Sequence, residues 1–349
     1  MKIIHCADLH LGSSMQTRLS SEKAALRREE ICRAFEDTVA FARREGVQAV
    51  LLCGDIFDSD CPLLRDRQFF FGVIEQAKEI LFFYLKGNHD RALPPPALPN
   101  LKTFSAEWTT YDLGEITVSG IELCAQNALS LYSSLTLPSN KRNIVMMHGQ
   151  VAEVAGENTI APRFLAGKNI DYLALGHIHF YDEKPLDGRG RYAYSGCLEG
   201  RGFDELGDKG FVLIETGAEI KTVFVPRSYR AARLVKLDIS GLKSVAETID
   251  RAARIGVAQK DMLRLVLCGE AAFDTEGLEN IVYETLKENW FALSVKDETC
   301  PALDLAKYRV QVGVEGEFVR LVESVPNADE SRKKRILALG LKALSGEKL

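Results

Sequence analysis

Five of the six histidines in this 349-residue chain stand in short motifs, each directly after an apolar run. Asp8-Leu9-His10 follows Lys2–Ala7, and Gly87-Asn88-His89-Asp90 follows Ile80–Leu85. His148-Gly149 follows Ile144–Met147, and Gly176-His177-Ile178-His179 follows Tyr172–Leu175. A fifth run, Val47–Cys53, ends in Gly54-Asp55-Ile56-Phe57-Asp58. Short apolar runs bounded by turn residues read as buried strands. In open α/β sheets, ligands gather outside the carboxyl ends of strands. Loops leaving one edge can therefore bring together groups that lie far apart in sequence.

The residue types define the chemistry. Hard oxygen donors (Asp8, Asp55, Asn88) mixed with imidazoles (His10, His148, His177, His179) suit Mn²⁺, Fe²⁺ or Zn²⁺. They suit an all-oxygen Ca²⁺ site or an all-thiolate Zn²⁺ site less well. Seven ligands are too many for one ion, and two ions need a bridging ligand. A carboxylate can bridge, and Asp55 is the residue chosen for it. Taken singly, Asp8 or Asp58 after a strand reads as a helix cap or turn residue, and His148 as a core histidine. Taken together, in five strand-end motifs, those readings fail. His5 matches no motif and is assigned to the core, and Asp90 is read as a cap of the turn after Asn88-His89.

The rest of the chain frames these motifs. Ser20-Ser21-Glu22 starts a helix whose apolar positions Ile31, Phe35, Val39 and Ala42 recur until Gly46. A second helix is expected from about Leu64 to Lys78. Strand, helix, strand with apolar strands implies a largely parallel sheet buried on both faces. Pro94-Pro95-Pro96 must be a loop. Short strands are expected over Thr109–Asp112, Ile116–Ser119 and Ile121–Ala125, and a hairpin over Gly210–Glu215 and Ile220–Val225. Beyond Pro226 the pattern is strand (Leu234–Ile239), helix (Val245–Ile255), strand (Met262–Leu267), helix (Leu278–Asn289) and strand (Leu293–Lys296). Two helices follow, about Glu317–Val325 and Glu330–Leu344, the second with Arg332-Lys333-Lys334-Arg335 near its start.

No apolar run of about 18 residues exists, so no membrane helix is expected. The first residues lack a signal-peptide pattern, and the expected location is cytoplasmic. Eight scattered cysteines without a C-x-x-C pair argue against a disulfide framework or zinc ribbon. A net charge of −5 neither suggests nor excludes nucleic acid, because a local basic groove or bound cations can reverse the field. Arg18, Arg91, Arg163, Arg189, Arg191 and Arg201 lie on loops and could hold a nucleic-acid backbone, although ordinary surface arginines are the blander reading of each.

The order D-x-H, G-D-x-x-D, G-N-H-D, H-G and G-H-x-H over roughly residues 1–225 resembles the calcineurin-like metallophosphoesterase superfamily. Five dyads in the right order after expected strands make the match highly specific. The resemblance implies that Asp8, His10, Asp55 and His179 hold one ion, and Asp55, Asn88, His148 and His177 the other. It implies that His89 faces the scissile phosphate, oriented by Asp58, as the catalytic pair.

Within the superfamily, Ser59 and Asp90 stand where Ser/Thr phosphatases carry Arg and Glu. The opening Ile4–Gly12, the stretch Gly54–Asp58, and Tyr194-Ser195-Gly196-Cys197 with Glu205 and Lys209-Gly210-Phe211 resemble SbcD-type DNA repair nucleases. Gly196–Glu205 is closer still to their YhaO-like branch; Cys197 stands where Ser is usual. The implied fold is α/β (α+β), a four-layer β-sandwich flanked by helices with a small C-terminal α/β capping domain. The expected divisions are 1–226, 230–300 and a helical segment 301–349. The implied function is a DNA exo- or endonuclease using two ions, Mn²⁺ first and Fe²⁺ or Zn²⁺ as alternatives. DNA, an SbcC-like coiled-coil ATPase and a second copy forming a homodimer are the partners considered. Leu337, Leu341 and Leu344 could serve the ATPase or pack on the chain itself. Two other functions stay open: a phosphodiesterase for small nucleotides, and a non-catalytic module whose metals organise a DNA-end or protein complex.

Overall fold

The computed structural model describes residues 1–349 apart from 16–18, 90–93, 218, 303–304, 327–328 and 345–349. Arg18, Asp90 and Arg91 therefore lie outside the described residues. The contacts divide the chain into Met1–Ala232 and Arg233–Leu349.

The first unit is built on two six-stranded sheets. In one, strands Lys2–Cys6, Ala49–Cys53, Leu81–Leu85 and Leu101–Thr103 run parallel and side by side. The hairpin Gly210–Thr216 and Ile220–Pro226 adds antiparallel strands beside Lys2–Cys6. In the other, Ile116–Gly120, Arg142–His148, Tyr172–Gly176 and Arg191–Tyr194 are parallel. Antiparallel strands Thr109–Asp112 and Asp182–Pro185 close its two edges.

The two-residue alternation of a strand sorts the side chains into layers. Ile4, Cys6, Val50, Leu52, Phe82 and Tyr84 face one way and pack with Ile31, Phe35, Val39, Phe70 and Ile74 of helices Ser21–Arg44 and Leu64–Gln76. Ile3, Ala49, Leu51, Cys53 and Phe83 face the other way, against Val118, Ile144, Met146 and Tyr172 of the second sheet. The outer face of that second sheet is covered mainly by loop residues such as Ile121, Leu123, Leu135 and Leu137 with two short helical turns. The fold is therefore the mixed α/β sandwich expected, with long helices on one outer face.

Several local expectations shift. Ile121–Ala125 is loop rather than strand, and its Ile121 and Leu123 serve as lids on the sheet. Asp182–Pro185 and Arg191–Tyr194 are strands whose polar residues mask the two-residue period. Ser20 caps the first helix by accepting from the Lys23 N–H, as its position ahead of the apolar period implied.

The second unit holds a three-stranded sheet of Ala232–Asp238, Met262–Cys268 and Ala292–Asp297. Helices Val245–Ala253 and Leu278–Leu286 supply Ala252, Leu278, Val282 and Leu286 to its core. A helix Leu305–Val310, not anticipated, precedes Val314–Glu323 and Glu330–Leu344. Leu337 and Leu341 pack with Val319 and Val322, which assigns them to the chain's own core, whereas Leu344 is exposed. Within the basic stretch, Lys334 pairs with Glu270 at 2.7 Å. Among the described residues, no helix is long and apolar enough to cross a membrane.

Candidate metal centre

The parallel registers place the motif-bearing strand ends side by side. Cys6 pairs with Leu52 and Cys53 with Leu85 in one sheet, and Gly176 pairs with His148 in the other. The loops then lace together across the two sheets. Asp8 N–H donates to Gly54 O at 3.0 Å and His10 N–H to Asp55 O at 3.0 Å. The His177 N–H donates to both oxygens of Asp8, at 2.9 and 3.0 Å. His148 Nδ1 reaches the Cys53 carbonyl at 2.9 Å.

The backbone of this region is held in sparsely populated conformations. Asp8 (φ 54°), His10 (49°), Asp55 (50°) and His177 (103°) are four of the six non-glycine residues at positive φ among the described residues. Such conformations cost about 1–3 kcal/mol each and persist where the surroundings over-determine them. Their concentration on four expected ligands marks this edge as built for something other than stability.

Asp8, His10 and His179 offer ligand atoms within 4.8 Å of one another, and so do Asp55, His148 and His177. Asn88 belongs with the second set: its Oδ1 lies 3.1 Å from His148 Nε2 and 3.2 Å from His177 Nδ1. The donor chemistry fits two cations. His148 Nδ1 must donate to the Cys53 carbonyl, which leaves the lone pair of neutral His148 on Nε2. That lone pair faces two acceptor oxygens, Asn88 Oδ1 and Asp55 Oδ2 at 3.3 Å. On the other side, His179 Nδ1 gives its proton to the ionised Glu205 at 2.7 Å, so its Nε2 lone pair faces His10 Nε2 at 3.2 Å. Two nitrogens bound to one ion at about 2.0–2.1 Å each lie at about this separation. Lone pairs converging in a buried site are the signature of a place for a cation.

The electrostatics agree. Asp8, His10 and Asp55 are almost wholly buried. Burial pushes Asp8 above the usual carboxylate range, against the pull of the surrounding imidazoles. Burial also acts on Asp55, but the hydrogen bond and charge of His148 and the His89 N–H outweigh it and hold Asp55 well below that range. His148 is raised to about 9, burial being outweighed by Asp55. A cation bound there would take over the role of that proton.

His89 is half-buried beside the centre, its ring 5.4 Å from that of His10, and its backbone N–H donates to Asp55 Oδ1 at 2.9 Å. Asp58, expected to orient His89, has contacts with His10 and Arg201. Its Oδ1 lies 2.9 Å from His10 Nδ1 and 2.7 Å from Arg201 Nη1. Of the loop arginines, Arg201 joins the centre. Arg189 is spent on the buried Asp171 at 2.7 Å, Arg191 on Glu183 at 2.9 Å, and Arg163 lies over Phe164. His5 is a core residue, held by Tyr172 Oη at 2.9 Å and the Leu175 carbonyl at 3.1 Å. Burial lowers its pKa to about 3, so it stays neutral.

Glu205 and the buried Lys209 acquire roles here that sequence motifs did not state. Lys209 Nζ donates to the His179 carbonyl at 2.7 Å and fixes that loop from below. The signal was present as opposite charges four residues apart, Arg201 and Glu205, after the Gly196 turn.

The loops approach so closely that a single methyl group would disturb them. A Cβ on Gly176 would stand 1.9 Å from the Cys53 carbonyl and 2.8 Å from His148 Nδ1. Gly176→Ala is expected to break the contact that fixes the His148 tautomer and to cost about 1–3 kcal/mol of stability. Metal content after dialysis should fall from two ions toward one; full retention of both would contradict the geometry.

A family model described as calcineurin-like phosphoesterase matches residues 1–181. The DNA double-strand break repair protein Mre11 of Sulfurisphaera tokodaii is 26% identical over 294 residues, covering 77% of this chain and 74% of that protein. Mre11 of Methanosarcina acetivorans is 27% identical over 234 residues, 63% of this chain but only 37% of that protein. The metallophosphoesterase YhaO of Bacillus subtilis is 27% identical over 251 residues, 64% of this chain and 60% of that protein. Members of this family bind two divalent metal ions, which matches the two ligand sets. The chain belongs to the calcineurin-like phosphoesterase family.

Proposed function

We infer that the protein is a metal-dependent phosphodiesterase that cleaves DNA, a repair nuclease of the SbcD type. The observation that carries this reading is the pair of convergent ligand sets with His89 half-exposed beside them. Relatives matched over much of the chain are, by name, DNA double-strand break repair proteins, which supports DNA over a small diester as substrate.

In this reading Asp8, His10 and His179 hold one ion; Asn88, His148 and His177 hold the other; Asp55 serves both. Mn²⁺ is the ion proposed, on the mixed oxygen and imidazole donors. Two such ions, when bound, polarise a phosphoryl oxygen and lower the pKa of the attacking water. The chain's own groups do the rest. The Asp55–His89 backbone contact sets His89 at the edge of the centre, where its imidazole can protonate the leaving alkoxide or stabilise developing charge. Asp58 acts through His10, whose ring it faces.

The test uses purified protein with Mn²⁺ and offers linear duplex DNA, single-stranded DNA and a small diester. DNA hydrolysis that falls by about 10²–10⁴-fold in His89→Ala, with both ions retained, is the expected outcome. Turnover of the small diester alone would replace DNA as the substrate. Two bound ions with no turnover of any ester would make the centre structural.

A further inference from the structure

Both imidazoles of one ion set are joined through a single arginine. His10 Nδ1 lies 2.9 Å from Asp58 Oδ1, and Asp58 Oδ1 lies 2.7 Å from Arg201 Nη1. Arg201 Nε and Nη2 in turn reach Glu205 Oε1 at 3.0 and 2.9 Å, and Glu205 Oε1 accepts from His179 Nδ1 at 2.7 Å. The path closes where His10 Nε2 and His179 Nε2 meet at 3.2 Å. The Arg201 backbone N–H also donates to Glu205 Oε2 at 2.7 Å, which prevents that carboxylate from turning away.

We propose that Arg201 is a positioning residue that aligns both imidazoles of the Asp8–His10–His179 set and thereby sets the affinity of that ion alone. The inference rests on the two-ion reading above. Three nitrogens of its guanidinium are committed to two carboxylates, which leaves Arg201 poorly placed to bind a substrate phosphate. Instead its planar fork spans two anions that would otherwise repel across a half-buried gap. Glu205 then orients His179 through a hydrogen bond and the Asp58 carboxylate faces the His10 ring, the placement by which carboxylates fix ring angle and basicity in metal sites. Among the contacts described, the Asp55–Asn88–His148–His177 set makes none to Arg201; its His148 is oriented by a backbone carbonyl instead. The two ions are therefore held by different kinds of support, and only one depends on this ring.

The segment carrying Arg201 is itself anchored on both sides. Glu199 is buried against Arg27 at 2.6 Å, and Lys209 ties the His179 and Leu206 carbonyls together at 2.7 and 3.1 Å. A loop pinned in this way can hold a guanidinium within the tolerance that a ligand ring requires.

Titration calorimetry with Mn²⁺ and metal content after dialysis test the proposal on the full chain. Arg201→Gln is expected to weaken one ion by about 10–100-fold and to leave the other unchanged. Arg201→Lys should behave like Arg201→Gln, because one ammonium cannot span both carboxylates. Asp58→Asn should weaken the same ion, and His148→Ala the other. In steady-state assays the Mn²⁺ concentration for half-maximal rate should rise in Arg201→Gln, while kcat at saturating Mn²⁺ is retained. A wild-type chain binding fewer than two ions overturns the two-ion reading and this inference with it. Two ions on the wild type, with Arg201→Lys and Asp58→Asn weakening neither or both equally, overturn this inference alone. Should Arg201→Gln fail to melt cooperatively, the Asp58→Asn and Arg201→Lys titrations decide.

Discussion

Asp55→Ala is expected to empty the metal centre of both ions and to lower phosphodiester hydrolysis by at least about 10³-fold, the scale seen when a group stabilising transition-state charge is removed. The size follows from the number of things one carboxylate does. Its Oδ2 faces His148 Nε2 at 3.3 Å, and its Oδ1 holds the His89 N–H at 2.9 Å. His10, from the other ligand set, also acts on its charge. Removing it takes away a buried anion between the two sets and frees the backbone that positions His89. Asp55→Asn separates these effects: it keeps an acceptor for the His89 N–H but loses the charge. It should therefore keep the fold around His89 and bind one ion weakly. Metal content and turnover measured on both variants check this, and two tightly held ions on Asp55→Ala would exclude a shared ligand.

Most of this candidate centre was legible in the sequence because potential metal donors are written in residue type and position. Asp8, His10, Asp55, Asn88, His148, His177 and His179 each sit at a strand end, and parallel registers leave those ends little choice of neighbours. The two-sheet architecture was legible for the same reason, since apolar runs between glycine-rich turns fix strand positions. What stayed hidden depends on side-chain reach rather than pattern. The contact of Asp58 with Arg201, 143 residues away, has no local pattern that would announce it. Ile121–Ala125 has a strand's composition, but its Ile121 and Leu123 pack onto the face of the sheet, so it folds as a covering loop. The helix Leu305–Val310 is too short to announce itself by periodicity.

The buried charge cluster behind the Arg201 loop carries the largest expected effect on stability. Arg27 is fully buried, donating to Glu30 at 2.5 Å, to Glu199 at 2.6 Å and to the Gly200 carbonyl. Glu30 has a second cation, Arg230 at 2.7 Å, whereas among the described residues the further support of Glu199 is the Tyr229 N–H. Arg27→Met keeps the length of the side chain and leaves Glu199 buried without its cation, either as an uncompensated anion or as a carboxyl forced to take up a proton. Breaking a buried pair in this way costs about 3–5 kcal/mol. For a unit of this size that is a fall in Tm of roughly 6–20 °C at about 2–4 °C per kcal/mol.

The loss should depend on pH, and its sign distinguishes a stranded charge from lost packing. Burial, partly offset by Arg27, already raises Glu199 to about 7 in the folded chain, above its ordinary 4.5. Between those values the folded state keeps a proton that the unfolded state has released, so this group's contribution falls as pH rises. Without Arg27 the folded pKa climbs further, and the fall continues to higher pH. The deficit of Arg27→Met relative to wild type should therefore be greater at pH 8 than at pH 6, where Glu199 is mostly protonated in both. Adding Glu199→Gln removes the stranded charge and should recover much of the deficit and flatten its pH dependence, a coupling that a double-mutant cycle reads directly. Equal deficits at both pH values, with additive single and double variants, would mean that Arg27 contributes through packing and not through its pairing with Glu199.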